Sequence, residues 1–179
     1  MPHRANINVE HRVADMENSF IIDKLYKAFD QDILKMDTSA DILSFTVASP
    51  VIHGVISFLK NNEDMNFTFL TDLCGIHYPD RGLPLGVVYH LHNLTENKRI
   101  RIKTFVTVND PKVLTVTDLF STANWMERET FDFYGIIFEG HPNLKRILNV
   151  EYMDFFPMRK EYPLEDPTRE DKDDRYFGR

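Results

Sequence analysis

The sequence predicts a two-layer α+β domain, a mixed β-sheet with helices mainly on one face, followed by an extended C-terminal tail. Three observations carry that class. Val87, Tyr89 and Leu91 alternate with Val88, His90 and His92, and Ile100, Ile102, Val106 and Val108 alternate with Arg99, Arg101, Lys103 and Thr107. That two-residue period on either side of the turn Thr95–Lys98 is a β-hairpin. Ile52, Val55, Ile56 and Leu59 repeat at helical spacing and form one buried stripe. Finally, the segments run helix, strand, strand, helix, strand, strand, strand, helix, an order that packs as helices on a sheet.

Taken in order, residues 1–17 are polar and read as a flexible N-terminus. Asn18 and Ser19 can cap a first helix with Ile21, Leu25 and Ala28 on one face. Ile33–Met36 forms a short strand. Leu43, Phe45 and Val47 alternate with Ser44, Thr46 and Ala48, a half-buried strand. Ser49 and Pro50 open the next helix as cap and first helical residue, and Asn61–Asp64 ends it. Phe67–Leu70 is a strand running into Thr71–Gly75. The segment Tyr78–Pro84 is dense in turn formers, and Asn109–Pro111 closes the hairpin. The predicted domain spans residues 18–148, and the tail spans 149–179.

The last helix is expected to start near Thr115 or Thr117, with Asp118 at the positive end of its dipole. Leu119, Ala123, Met126, Thr130 and Phe133 share one face. Gly135 stops the helix by tolerating a left-handed conformation, and Ile136–Phe138 makes a brief strand. One local rule is broken. Glu127, Glu129 and Asp132 occupy the final turns, where the dipole favours cations. Arg128 and Asp132 form an i,i+4 pair in its weaker orientation. Cations follow at His141, Lys145, Arg146, Arg159 and Lys160. By charge alone, the cluster reads as an internal network that fixes the tail; the competing reading turns it toward a partner protein.

The 179 residues suffice for one domain with a real core. Hydrophobic content of 42% and charged content of 27% are those of a globular protein. The net charge of −7 argues against broad nucleic-acid binding. The single cysteine, Cys74, excludes a disulfide within the chain and an iron–sulfur cluster held by four thiolates of this chain. No apolar run reaches the length of a membrane span, and the N-terminus lacks the apolar core of a signal peptide.

Chemistry is scarce. His90 and His92 share a strand face and could pair on a metal, but spacing offers no third ligand, so solvated histidines are the simpler reading. Cys74 with His77 could make a thiol nucleophile and base, yet a lone cysteine near a strand end is more often a small core residue. No glycine-rich phosphate loop is present. Arg99, Arg101 and Lys103 form a basic strand face, either solvated or a docking patch for an acidic partner. No catalytic, cofactor-binding or metal-binding residue is expected.

One stretch carries a resemblance. Ala123–Glu129, Asp132–Ile136, Phe138–Pro142 and Leu144–Leu148, followed by Pro157–Leu164, resemble the signature of the C subunit of NADH:quinone oxidoreductase, respiratory complex I. Asp72–Pro79 and Val88–Leu91 also look like family segments, so the likeness covers roughly residues 67–164. Glu161 stands where the family usually has Asp, and His77 where Asp is common, which argues against a shared chemical role for those two. The resemblance implies a cofactor-free structural subunit of the hydrophilic arm. FMN, iron–sulfur clusters and quinone would belong to partner subunits. It also implies packing against the D subunit and other hydrophilic-arm subunits, with a tail that gains order on assembly. The signature and expected partner-interface residues are Trp125, Glu127, Arg128, Glu129, Asp132, Gly135, Gly140, His141, Pro142, Arg146, Arg159, Lys160, Tyr162 and Pro163. The implied reaction of the whole complex is electron transfer from NADH to quinone coupled to proton translocation, and the implied location is peripheral, on the cytoplasmic side of a bacterial inner membrane. Alternatives are a homologous subunit of a ferredoxin- or hydrogenase-linked relative and a stand-alone thiol or histidine enzyme.

Overall fold

The computed structural model describes residues 18–38 and 42–162. Helix α1 runs through 18–29, followed by strands β1 (Ile33–Asp37) and β2 (Leu43–Val47), helix α2 (Ile52–Asn61), and strands β3 (Phe69–His77), β4 (Leu85–Asn93) and β5 (Lys98–Val106). Strand β6 (Lys112–Leu114), helix α3 (Ala123–Tyr134) and strand β7 (Ile137–Glu139) complete the order. Asn18 and Ser19 are themselves helical, so the cap of α1 falls outside the described residues.

The main sheet has the order β1-β2-β5-β4-β3, antiparallel except where β2 lies parallel to β5. The mixed sheet expected from the sequence is therefore present. Leu43, Phe45 and Val47 of β2, Leu85, Val87, Tyr89 and Leu91 of β4, and Ile100 and Ile102 of β5 point into one core. The α2 stripe Ile52, Val55, Ile56 and Leu59 packs into the same core, and all four are buried. The alternate residues Ser44, Thr46, Arg101, Lys103 and His90 occupy the opposite face.

Two local expectations change. A 3-10 turn at Ser49–Val51 precedes α2 without a side-chain cap. The Ser49 hydroxyl instead donates to the Lys112 carbonyl, 3.2 Å away. The segments expected as separate pieces from Phe67 to Gly75 form one strand, β3, bulged between Leu70 and Asp72. Phe67 lies before it, buried, with its N–H donated to the Leu59 carbonyl.

The last helix starts later than its apolar face predicts. Val116 and Phe120 are buried, and the N–H groups of Leu119 and Phe120 both bond to the Val116 carbonyl. These turns anchor 116–122 to the core, so regular helix begins only at Ala123, after Thr122, which makes no capping bond. Asp118 is therefore not at the helix start; it pairs with His53 of α2 at 2.9 Å. Gly135 ends the helix as predicted, left-handed at φ 72°. The brief strand after it is β7, parallel to β6. A three-residue partner such as β6 is too short to show a period in the sequence.

Helix α3 packs on β3 at the edge of the sheet, its Tyr134 ring filling the space a side chain at Gly75 would take. Beside it, a cavity of about 300 Å³ is lined by Asp72, Cys74, Glu129, Tyr134 and Met158, among others.

Candidate functional site: a knotted helix terminus

The final turn of an α-helix leaves carbonyls without intrahelical partners. In α3, four successive carbonyls are taken up by the chain that follows. Phe131 accepts from the Gly135 N–H at 2.8 Å, and Asp132 from Arg146 Nη1 at 2.8 Å. Phe133 accepts from the Met158 N–H at 3.2 Å, and Tyr134 from Arg159 Nε at 2.8 Å. Two of the four donors are guanidinium groups, which also suit the negative end of the helix dipole.

Asp132, the acid that breaks the dipole rule, is the centre of this knot. Its Oδ1 accepts from Arg146 Nη1 at 2.8 Å and Asn149 Nδ2 at 3.1 Å. Its Oδ2 accepts the N–H groups of Ile147, Leu148 and Asn149 at 3.1, 2.8 and 2.9 Å. Burial alone would raise its pKa. The N–H groups of Asn149 and Leu148, then Arg146 and the Asn149 amide, more than offset that and hold the carboxyl well below the usual range. Arg146 extends the knot through Nη2 to the Met153 and Phe155 carbonyls, both at 2.9 Å.

The expected Arg128–Asp132 pair is absent. Asp132 turns to Arg146, and Arg128, itself buried, donates Nε to the Lys145 carbonyl at 3.2 Å and sits 5.0 Å from the Trp125 ring. The reason is geometric: five converging donors satisfy a buried carboxylate better than one neighbour on the same helix. Gly135 serves the same knot. A side chain there would collide with Phe156, whose ring lies 4.9 Å from the Arg146 guanidinium and 4.8 Å from that of Arg159.

At the other end of α3, Glu127 is fully buried. Its Oε2 accepts from Thr115 Oγ1 at 2.5 Å and its Oε1 from the Val116 N–H at 2.8 Å. Burial raises its pKa to about 7, against the lowering effect of those two bonds. Thr115 thus serves the helix through a side chain of the helix rather than by capping it. The Gly-His-Pro turn is positioned by His141, whose Nε2 donates to the Asn124 carbonyl at 3.1 Å while Nδ1 accepts the Asn143 N–H at 3.0 Å. Gly140 is left-handed at φ 85°.

Known proteins share this architecture. The family described as respiratory-chain NADH dehydrogenase, 30 Kd subunit, matches residues 45–168. The chain belongs to that family. The NADH-quinone oxidoreductase C subunit of Roseiflexus sp. (strain RS-1) is 40% identical over 149 residues, covering 83% of this chain and 86% of that protein. The protein of the same name from Geotalea uraniireducens (strain Rf4) is 36% identical over 159 residues, covering 88% and 96%. A solved trypsin-resistant fragment of Nqo5 superposes with a TM-score of 0.57 at 30% identity, covering 75% of this chain and 98% of the fragment.

Among the signature residues of this family member, Glu127, Arg128, Asp132, Gly135, His141, Arg146 and Arg159 meet in the knot or at the start of its helix. Trp125, Glu129, Gly140, Pro142, Lys160 and Tyr162 are exposed, and Pro163 lies outside the described residues. His77 and Glu161, the two departures from the family pattern, are neighbours after all. His77 Nδ1 accepts the Lys160 N–H at 3.0 Å, with Glu161 Oε2 at 3.5 Å. The thiol-and-base pairing does not form, because positions 74 and 77 lie on opposite faces of β3. Burial, then Asp72, pushes the Cys74 thiol up to about 11, away from a reactive thiolate. His90 meets Arg101 Nε at 2.8 Å, and His92 meets Asn97 Oδ1 at 3.0 Å, so the two histidines have separate partners. Sequence reasoning missed Asn149 and Phe156, and it read Thr115 as a helix cap rather than as a donor to Glu127. The only available signal was the density of aromatic residues after Asn149.

Proposed function

We propose that this chain is a structural subunit of the hydrophilic arm of NADH:quinone oxidoreductase and contributes position rather than chemistry. The observation that carries this reading is the α3 knot, which lies within the family-matched span and fixes the chain from Leu144 to Tyr162 against the domain. That arrangement presents large apolar side chains to solvent: Trp125 is 63% exposed, Leu148 63% and Tyr152 88%. Exposed aromatics on a rigid support are suited to a partner surface. In this reading the partner is the D subunit.

The redox groups belong to other subunits in this account. With one cysteine the chain does not offer a four-thiolate cluster set, and partial burial, then Asp72, pushes that thiol up to about 11, against ionisation. The complex as a whole would couple NADH oxidation to proton translocation, with this chain peripheral on the cytoplasmic face of the membrane. Among the described residues no helix is long and apolar enough to cross a membrane.

The test is native purification from detergent-solubilised membranes through a tag at the N-terminus. Co-purification of iron–sulfur subunits with NADH dehydrogenase activity is expected, and the Trp125→Ala variant should recover less of the complex. Recovery of the tagged chain alone, under conditions that keep respiratory complexes intact, would overturn the reading.

A further inference from the structure

The face of the main sheet opposite α2 holds a cluster that the α3 knot does not use. Asp37, Ser44, Arg101, His90 and Asp72 stand abreast across the five strands, and Lys35, Thr46, Lys103, Val88 and Cys74 form the next row. Close to these rows is a cavity of about 100 Å³ whose walls include Lys35, Asp37, Ser44, Arg81, Lys103 and Phe105.

Three cations and one carboxylate therefore face the same small space. Lys35 lies 3.9 Å from Asp37. Arg81 and Lys103 make no ion pair among the described residues. The Arg81 guanidinium is already positioned, 4.0 Å from the Tyr78 ring and 5.5 Å from that of Phe105. Ser44 is 5% exposed, and its hydroxyl has no hydrogen-bond partner among the described residues. Buried polar groups are normally satisfied, so an unpartnered hydroxyl in the wall of a cationic cavity points to an absent acceptor. Lys103 agrees with this. Burial first, and then Arg101, with smaller parts from Lys35 and Arg81, lower its pKa against an upward pull from Asp37. A bound anion would relieve that crowding.

We propose that this cavity is a carboxylate-binding pocket that takes one Asp or Glu side chain of an acidic segment of a partner protein, held by Lys103, Arg81 and the Ser44 hydroxyl. The volume suits one acidic side chain. None of the cavity's lining residues belongs to a helix, so a protein surface can reach it. The row continues through Arg101, which extends the positive potential toward the rest of such a segment. This surface is separate from the α3 knot, so its failure would leave the structural-subunit reading standing.

The test is an amide NMR titration of the full-length chain in chloride buffer at pH 7. The probes are a capped tetraglutamate peptide, its tetraglutamine counterpart and inorganic phosphate. Tetraglutamate is expected to shift the Ser44 and Lys103 amides saturably, and tetraglutamine to leave them unmoved. Lys103→Gln and Ser44→Ala should each weaken binding by about fivefold or more, the loss of one charge-assisted or buried hydrogen bond. Lys24→Gln, elsewhere on the surface, should stay within about twofold. An absence of saturable shifts at those amides would overturn the proposal, as would unchanged affinity in a folded Lys103→Gln variant. Saturable binding of phosphate without the peptide would also overturn it, since the pocket would then be a small-ion site.

Discussion

Glu127 and Asp132 sit five residues apart on one helix, both with no solvent exposure, and their carboxyls are driven in opposite directions. Glu127 has two donors and is pushed up to about 7. Asp132 has two side-chain and three backbone donors and is held well below its usual range. Burial raises both, and at Glu127 it prevails over the two bonds. At Asp132 the donors delivered by the 146–149 segment outweigh it. The start of α3 is lightly tied, whereas its end is tied many times over.

Breaking the heavily tied end should have the largest effect. Asp132→Ala leaves the Arg146 guanidinium, only 9% exposed, without its carboxylate, and should cost about 3–5 kcal/mol in urea unfolding of the isolated chain. Native pH dependence should carry the same signature. A depressed pKa contributes stability that is present above the unfolded value of about 4 and is lost as pH falls below it toward the folded pKa.

Glu127 should behave in the reverse sense. Its folded pKa near 7 lies above the unfolded value of about 4.3, so the native chain is unpenalised below that value and loses stability as pH rises toward and through 7. Glu127→Gln keeps an oxygen for the Val116 N–H and gains an N–H for Thr115. Relative to native it should be near neutral at pH 4 and up to about 3 kcal/mol more stable at pH 8 in parallel denaturant melts. A variant less stable than native at pH 8 would contradict the assignment.

Gly135→Ala should cost about 1–2 kcal/mol through its positive φ, and more through displacement of Phe156. Adding Phe156→Leu should recover part of the loss, a coupling that a double-mutant cycle would measure. The smallest effect is expected for Thr115→Val. It removes one donor to Glu127 and should cost about 1 kcal/mol, with the Glu127 carboxyl moving further up in a carboxyl NMR titration.

How much of this the sequence revealed follows the range of the forces. The α2 stripe, the β4–β5 alternation and Gly135 are local patterns, and each appears where its period or conformation requires it. The start of α3 was illegible because Val116 and Phe120 are claimed by the core, a tertiary demand that propensity does not contain. The broken dipole rule at Asp132 did mark the site. It could not name the partner, because Arg128 was the nearest cation in sequence while Arg146, fourteen residues on, is the one in reach. Three of the five donors are backbone N–H groups, which have no sequence signature. His77 and Glu161 show the same limit, since eighty-four positions of chain separate two side chains 3.5 Å apart.

The central claim is that the chain from Leu144 to Tyr162 is tied to the end of α3 by the domain itself. The direct measurement is amide hydrogen exchange on the isolated full-length chain at neutral pH. The Ile147, Leu148 and Asn149 amides should be protected on the scale of α3 itself and lose that protection together in Asp132→Ala. Exchange of those three amides at unprotected rates, while α3 stays protected, would show that a partner and not Asp132 holds the segment.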